Sequence, residues 1–328
     1  MLKGKDLILA TKPFAKEIRW KSWYHTITAT VLLIVFLLGT YFTPTIYGKI
    51  ISSLFSALLL ARFFMIFHDY QHHTILQKSF LANIIFTVYG FYMLTPPSIW
   101  KRSHDHHHNN NAKLFSANIG SFPIMTKQKF MEATKQDRRI YLAIRHPLNM
   151  IFAYITMFIY GMCIQSFISS PRRHWDSLVT LILHVTIAVC IFVYIGPLTW
   201  FLAFFLPFFI AHMLGAYLFY AQHTFPGVKF KSNTEWNYAD AAMESSSFLK
   251  MNPFLRWATA NIGYHHVHHL NSRIPFYRLP EAMASITELQ QVTTTTFKLS
   301  DIVSCLRLKL WDSEQNKMIA LSELNTTY

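Results

Sequence analysis

Residues 50–73 read IISSLFSALLLARFFMIFHDYQHH, a long apolar run that ends directly in a cluster of histidines. At ~1.5 Å per residue the run 50–67 covers most of a ~30 Å hydrocarbon core, so it reads as a membrane helix. Its only charge, Arg62, lies within about two turns of the helix exit and is expected to snorkel to the interface. The preceding run, ITATVLLIVFLLGTYF at 27–42, is separated from it by a short turn containing Pro44. Together the two form a helical hairpin that crosses and returns. His68 then emerges on the face from which the chain set out.

Working outward, four more apolar runs follow, at 80–95, 148–169, 178–195 and 198–220. The whole chain of 328 residues is 52% hydrophobic and only 14% charged, which together with these runs indicates a multi-pass membrane protein. Run 80–95 is short and ends in TPPS, so it reads as re-entrant or interfacial. Run 148–169 reads as a shallow segment, because the loop SPRRHWDS at 170–177 carries Arg172 and Arg173 and should remain on the basic side. Runs 178–195 and 198–220 form a second hairpin turning at Gly196-Pro197. The expected fold is an all-α integral membrane protein with two transmembrane helical hairpins, re-entrant or interfacial segments and a cytoplasmic histidine-rich cap. The segment 1–24 is expected to be a cytoplasmic N-terminal arm, 25–312 the membrane domain with its cap portion at 221–312, and 313–328 a C-terminal tail.

The net charge of +14 has a telling distribution. Residues 1–24 carry six Lys or Arg against two acids, and 96–147 carry nine against three, whereas the turn at 43–49 holds one Lys. That is the positive-inside pattern, and it argues for contact with anionic lipid and against nucleic acid. The start of the chain is broken by charges and carries no sustained apolar core of a signal peptide, so the N-terminus is expected to stay in the cytoplasm. Three scattered cysteines, Cys163, Cys190 and Cys305, suggest neither a disulfide framework nor a thiolate site. Histidine must carry the chemistry.

Three boxes, HDYQHH at 68–73, SHDHHH at 103–108 and HHVHH at 265–269, hold 11 of the 17 histidines. Positions i, i+3 and i+4 share a helix face. His68 and His72 fit i and i+4, while His104, His107, His108 and His265, His268, His269 fit i, i+3, i+4. By the same rule His73, His106 and His266 point elsewhere and are bystanders or groups behind the ligands. Eight face-matched imidazoles exceed what one four-coordinate zinc needs, and two metal ions fit the count. His223, directly after the last apolar run, is by position either a structural histidine or a ninth ligand. Asp69 and Asp105 each follow the first histidine of a box, where a carboxylate either accepts the second ring N–H of a ligand or is simply solvated.

The order H-x3-H, H-x2-HH, H-x2-HH closely resembles that of the membrane fatty acyl desaturases. The flanks WKRSHDHHHNNN at 100–111, LFYAQH at 218–223 and NIGYHHVHHLNSRIPFYRLPE at 261–281 resemble the bacterial and delta-12-type branch. The resemblance covers about residues 25 to 312. It implies a non-haem di-iron centre that uses O2 and two electrons to introduce a cis double bond into a fatty acyl chain. It also implies that His68, His72, His104, His107, His108, His265, His268 and His269 are metal ligands, and that His223 is the family's additional histidine. The first box departs from the common HDCGH form through Tyr70, Gln71 and the added His73. Phe and Met along 50–67, 80–95 and 198–220 are candidates to line an apolar tunnel for the acyl chain.

Two other classes fit parts of the pattern. A di-iron hydroxylase or ketolase acting on alkanes or carotenoids uses similar boxes. A histidine-rich metal transporter would also cluster imidazoles, but it predicts ionisable groups within the spans, and only Arg62, His184 and His212 qualify, none of them acidic. No haem-binding HPGG segment or ferredoxin-like cysteine set is present, so electrons are expected from a separate protein of the ferredoxin or cytochrome b5 type. The basic residues Lys101, Arg102, Arg138 and Arg139 suit either such an acidic partner or anionic lipid.

Overall fold

The computed structural model describes residues 2–114 and 120–325. After a short N-terminal helix α1 (Gly4–Thr11), the first hairpin consists of α2 (Arg19–Phe42) and α3 (Ile46–Gln71). Their 24 and 26 residues give lengths of about 36 and 39 Å, enough to span a bilayer core. The turn between them closes through polar contacts at its rim. Thr45 Oγ1 accepts the N–H of Gly48 at 3.2 Å, capping α3, and Lys49 Nζ donates to the carbonyls of Thr40 and Tyr41 at 3.1 and 2.8 Å, capping α2. α2 presents Val31, Ile34, Val35 and Leu38 outward, a surface suited to lipid. α3 is instead buried along much of its length and forms the centre of the bundle.

The second hairpin pairs α7 (Trp175–Ile195) with α8 (Pro197–His223). The turn is a single residue, Gly196, whose φ of +110 lies where a side chain is disfavoured, and Pro197 then occupies the first helical position, where its missing N–H costs nothing. Between the hairpins lie two shorter apolar helices, α4 (Phe80–Tyr92) and α6 (Tyr154–Ser169). The 13 residues of α4 cannot cross a bilayer unaided. Pro96 and Pro97 break it, and the chain turns by 93° into α5 (Pro97–Asn110), which carries the second histidine box. Among the described residues, the four helices long and apolar enough to cross are thus those of the two expected hairpins.

The polar C-terminal part adds two helices used below, α9 (Pro253–Ala258) and α10 (His265–Leu270), and two small sheets. In one sheet β1 (Met125–Thr126) lies parallel to β4 (Leu308–Asp312), which pairs antiparallel with β5 (Lys317–Ala320). In the other, β2 (Phe248–Lys250) pairs parallel with β3 (Thr294–Thr296). The helical description therefore holds for the membrane part, and the cap also contains strands. Residue 312, the expected edge of the domain, is the last residue of β4, and the chain returns from it into β5.

The N-terminal arm packs against the cap. Leu2 N–H donates to Glu288 Oε1 at 2.8 Å, Asn271 Nδ2 to Thr11 Oγ1 at 2.9 Å, and Arg278 Nη1 to the carbonyls of Pro13 and Lys16 at 3.0 and 3.1 Å. The arm and the cap therefore occupy one end of the bundle, as hairpins require.

One charged group departs from the reading of the sequence, and a second is buried in the fold. Arg62 does not snorkel into an open interface: α9 covers it, and its guanidinium donates to the Trp257 carbonyl and, at 3.1 Å, to His25 Nδ1. Arg145, one of the basic residues of 96–147, is completely buried. It donates to the Pro123 carbonyl, the Tyr220 hydroxyl and Thr224 Oγ1 at 3.0, 3.0 and 3.2 Å, fixing the end of α8 against the cap.

The hairpin arrangement predicts accessibility. In a cysteine-free background, an impermeant thiol reagent that labels Thr45→Cys from one side of the membrane should not reach Arg172→Cys or Arg273→Cys from that side. Labelling of Arg172→Cys together with Thr45→Cys would instead make α6 a full crossing.

Candidate metal centre

The ends of α3, α5, α8 and α10 meet beneath the cap, and nine imidazoles turn inward there. His68, His72, His104, His108 and His268 form one group and His107, His223, His265 and His269 a second, each with ligand atoms all within 4.8 Å of one another. In the first group Nε2 of His104 lies 2.9 Å from that of His72 and 3.1 Å from that of His108, which is 3.1 Å from that of His268. In the second, His223 Nε2 lies 2.8 Å from that of His265 and 3.1 Å from that of His107. The stacked rings of His108 and His269, 4.3 Å apart, connect the groups. The structure gathers all nine residues singled out from the sequence. His73, His106 and His266 lie outside both groups.

The division follows from helix geometry. Residues four apart on a helix stack one above the other, while the residue just before the second of them is rotated by ~100°. α5 therefore sends the pair His104 and His108 to the first group and His107 to the second. α10 does the reverse, sending His265 and His269 to the second group and His268 to the first. α3 completes the first group with His68 and His72, and α8 completes the second with His223. Each H-x2-HH segment thus serves both groups, and the eight box histidines divide five and three.

Contacts on the far ring nitrogens hold several imidazoles in place. His223 Nδ1–H donates to the Ser245 carbonyl at 3.0 Å, which leaves its Nε2 lone pair facing the group. His107 Nδ1 lies 2.6 Å from Ser121 Oγ, and Trp100 stacks on His104 with ring centroids 4.9 Å apart. Asp69 Oδ1 is 3.5 Å from His68 Nδ1, while its Oδ2 accepts the Phe276 N–H at 2.7 Å, tying the first box to the chain that follows the third. Asp105 is half-exposed and pairs with Lys101 at 2.6 Å, a partner the sequence reading did not name. Ser121 and the Ser245 carbonyl had no signature in the sequence, because each is brought in from a distant loop. His266 turns its Nε2–H to the Leu289 carbonyl at 2.9 Å, and burial pushes it down to about 4.

These features suit metal binding. Burial, reinforced by neighbouring imidazoles, holds His265, His268 and His269 well below the ordinary histidine range, so the rings are neutral and able to donate a lone pair. A neutral ring has one N–H, and where Nδ1 carries it the Nε2 atoms meet as lone pairs. A shared cation resolves that arrangement. An all-imidazole set suits iron, zinc, copper or nickel.

Immediately below lies a narrow apolar pocket. Ala61, Phe64 and Met65 line it from the same face of α3 that bears His68 and His72, opposite Met93, Phe158, His212, Leu218 and Thr259. Most of these come from the apolar runs expected to line a tunnel, whereas Phe158 and Thr259 do not.

A profile of the fatty acid desaturase family matches residues 44–292, which contain all nine histidines. The chain belongs to the fatty acid desaturase family. It is 30% identical over 262 residues to a fatty acid desaturase of Bacillus subtilis, an overlap covering 80% of this chain and 74% of that protein. It is 23% identical over 291 residues to the sn-1 oleoyl-lipid 12-desaturase of Synechocystis, covering 88% and 82%. The chloroplastic omega-6 fatty acid desaturase of spinach is 24% identical over 228 residues, 69% of this chain and 50% of that protein. This desaturase thus has the branch affinity that its box flanks suggested.

The loop that brings Ser121 to His107 depends on Gly120. Its φ is +71, and a Cβ there would lie 2.0 Å from the Ser103 carbonyl oxygen on α5. Ser121→Ala should weaken metal retention by about tenfold, the usual consequence of losing a partner of a ligand. Gly120→Ala should be worse, since it displaces the loop as well. Chelator competition followed by metal analysis measures both, and full retention in Gly120→Ala would remove this loop from the site.

Proposed function

We propose that each histidine group holds one iron ion, with His68, His72, His104, His108 and His268 on one and His107, His223, His265 and His269 on the other. The convergence of five and four ring nitrogens from four separate helices is the observation that carries this reading. The chain is a fatty acid desaturase, and removing two hydrogens from an unactivated methylene pair requires a strong oxidant. Bound iron supplies that oxidising power from O2. The overall balance is one acyl CH2–CH2, one O2, two electrons and two protons giving one CH=CH and two waters.

The chain's own residues perform the remaining tasks. The pocket walls formed by Ala61, Phe64 and Met65 hold an acyl chain directly beneath the histidines and keep water from it. The hydrogen bond from His223 to Ser245 and the contact of His68 with Asp69 keep the rings aimed inward. Two electrons come from a separate ferredoxin or cytochrome b5 type protein, for which exposed Arg102 and Arg139 on the basic segment offer an acidic partner a landing surface. The distribution of Lys and Arg supports a cytoplasmic position for this end of the bundle.

Purified protein should contain about two irons per chain, and cells expressing it should accumulate unsaturated acyl chains absent from an empty-vector control. His223→Ala and His268→Ala should lose iron and product together, whereas His106→Ala and His266→Ala should keep most of the metal. Full iron occupancy in His223→Ala would remove it as a ligand. A hydroxylated product without a double bond would move the chain to the hydroxylase class.

A further inference from the structure

Arg62 lies on a face of α3 about 100° around from the histidine face, and it opens onto a second cavity. Arg62, Arg256, His25, Trp257, Asn261 and Tyr277 are among the residues lining this space of about 200 Å³. Six residues before His68, Arg62 sits about 9 Å nearer the bilayer centre than that histidine. α9 dips beside α3, with Phe254 and Trp257 exposed and Phe254 in contact with Phe55, seven residues deeper along α3 than Arg62. Arg62 is five residues, about 8 Å, inside the end of the apolar run, so the cavity lies just below the boundary.

Its charge is unbalanced. Arg62 is only 2% exposed, its guanidinium lies 4.7 Å from the Trp257 ring centroid, and its two hydrogen-bond acceptors, the Trp257 carbonyl and His25 Nδ1, are neutral. Its Nε has no partner at all. Arg256 donates to the Tyr264 hydroxyl at 3.2 Å. Among the described residues neither arginine forms an ion pair. Two guanidinium groups facing one cavity without an acid are costly at this depth unless an anion joins them. Their planar forks match the oxygens of a phosphate.

The cavity also adjoins the acyl pocket. Ala61 and Thr259 line the apolar pocket, while Arg62 and Trp257, their near neighbours in the chain, line the polar one. We propose that the Arg62–Arg256 cavity binds the phosphate of a membrane glycerophospholipid, so that a lipid-esterified acyl chain reaches the histidine centre from beside it. That the chain which follows is the one desaturated rests on the acyl desaturase reading.

The test uses the full iron-loaded chain in detergent, with lipid binding measured by native mass spectrometry. Dioleoyl phosphatidylglycerol should bind, and dioleoyl digalactosyldiacylglycerol, which lacks phosphate, should bind at least about tenfold more weakly. Arg256→Gln should lose about tenfold or more in phosphatidylglycerol affinity, and Arg62→Lys, which keeps the charge and removes the fork, should lose less. Arg256 is the main probe because its surroundings are less buried and the variant is expected to fold. Equal binding of the galactolipid, undiminished binding by Arg256→Gln, or competition by inorganic phosphate at the same concentration as the lipid would each overturn the proposal. Arginine-dependent phosphatidylglycerol binding by a chain that makes no double bond in cells would uphold the lipid site and reject the desaturase reading instead.

Discussion

Imidazole nitrogens held close together, with burial keeping the rings neutral, form the constraint on which the rest of this structure depends. A ring whose Nδ1 carries the proton can offer only a lone pair from Nε2, and approaches of 2.8 to 3.2 Å between such atoms are favourable only around a positive charge. Holding them there takes rigid supports from several directions. Four helix ends provide these, and the contacts behind the rings, from Asp69, Ser121 and the Ser245 carbonyl, prevent the imidazoles from rotating away.

The membrane helices can be understood as the means of bringing those ends together. α3 is buried because it carries both the first box and one wall of the apolar pocket, whereas α2 on the outside meets lipid. The break at Pro96 and Pro97 matters as much as either hairpin. A continuous helix through that point would carry the second box away from the first, and the 93° turn lays it across instead. A bilayer tolerates such a break because its residues, Met93 to Pro96, are buried in protein.

Polar groups buried near the boundary divide into two kinds. Arg145 is fully engaged with carbonyl and hydroxyl oxygens and fastens the end of α8, where His223 lies, to the cap. Arg62 has neutral partners and a cavity in front of it. Both are single basic residues in the sequence, and hydropathy treats them alike. Only the groups arranged around each decide whether the charge serves the fold or faces a ligand.

The sequence alone determined the membrane class, the two hairpins and the eight inward-facing box histidines, because these depend on local quantities. Length of an apolar run fixes whether a helix can cross, and the spacing i, i+3, i+4 fixes which side chains share its face, with no knowledge of distant residues. Bystanders such as His266 were legible for the same reason. Tertiary structure alone decided that each H-x2-HH segment is divided between two groups, that His223 completes the smaller one and that Ser121 supports His107. It also decided that Arg62 lies beneath α9 instead of reaching open water. Each of these depends on contacts between residues far apart in the chain. Helix periodicity gives the direction of a side chain relative to its own axis, and only the packing of helices against one another determines what that direction meets.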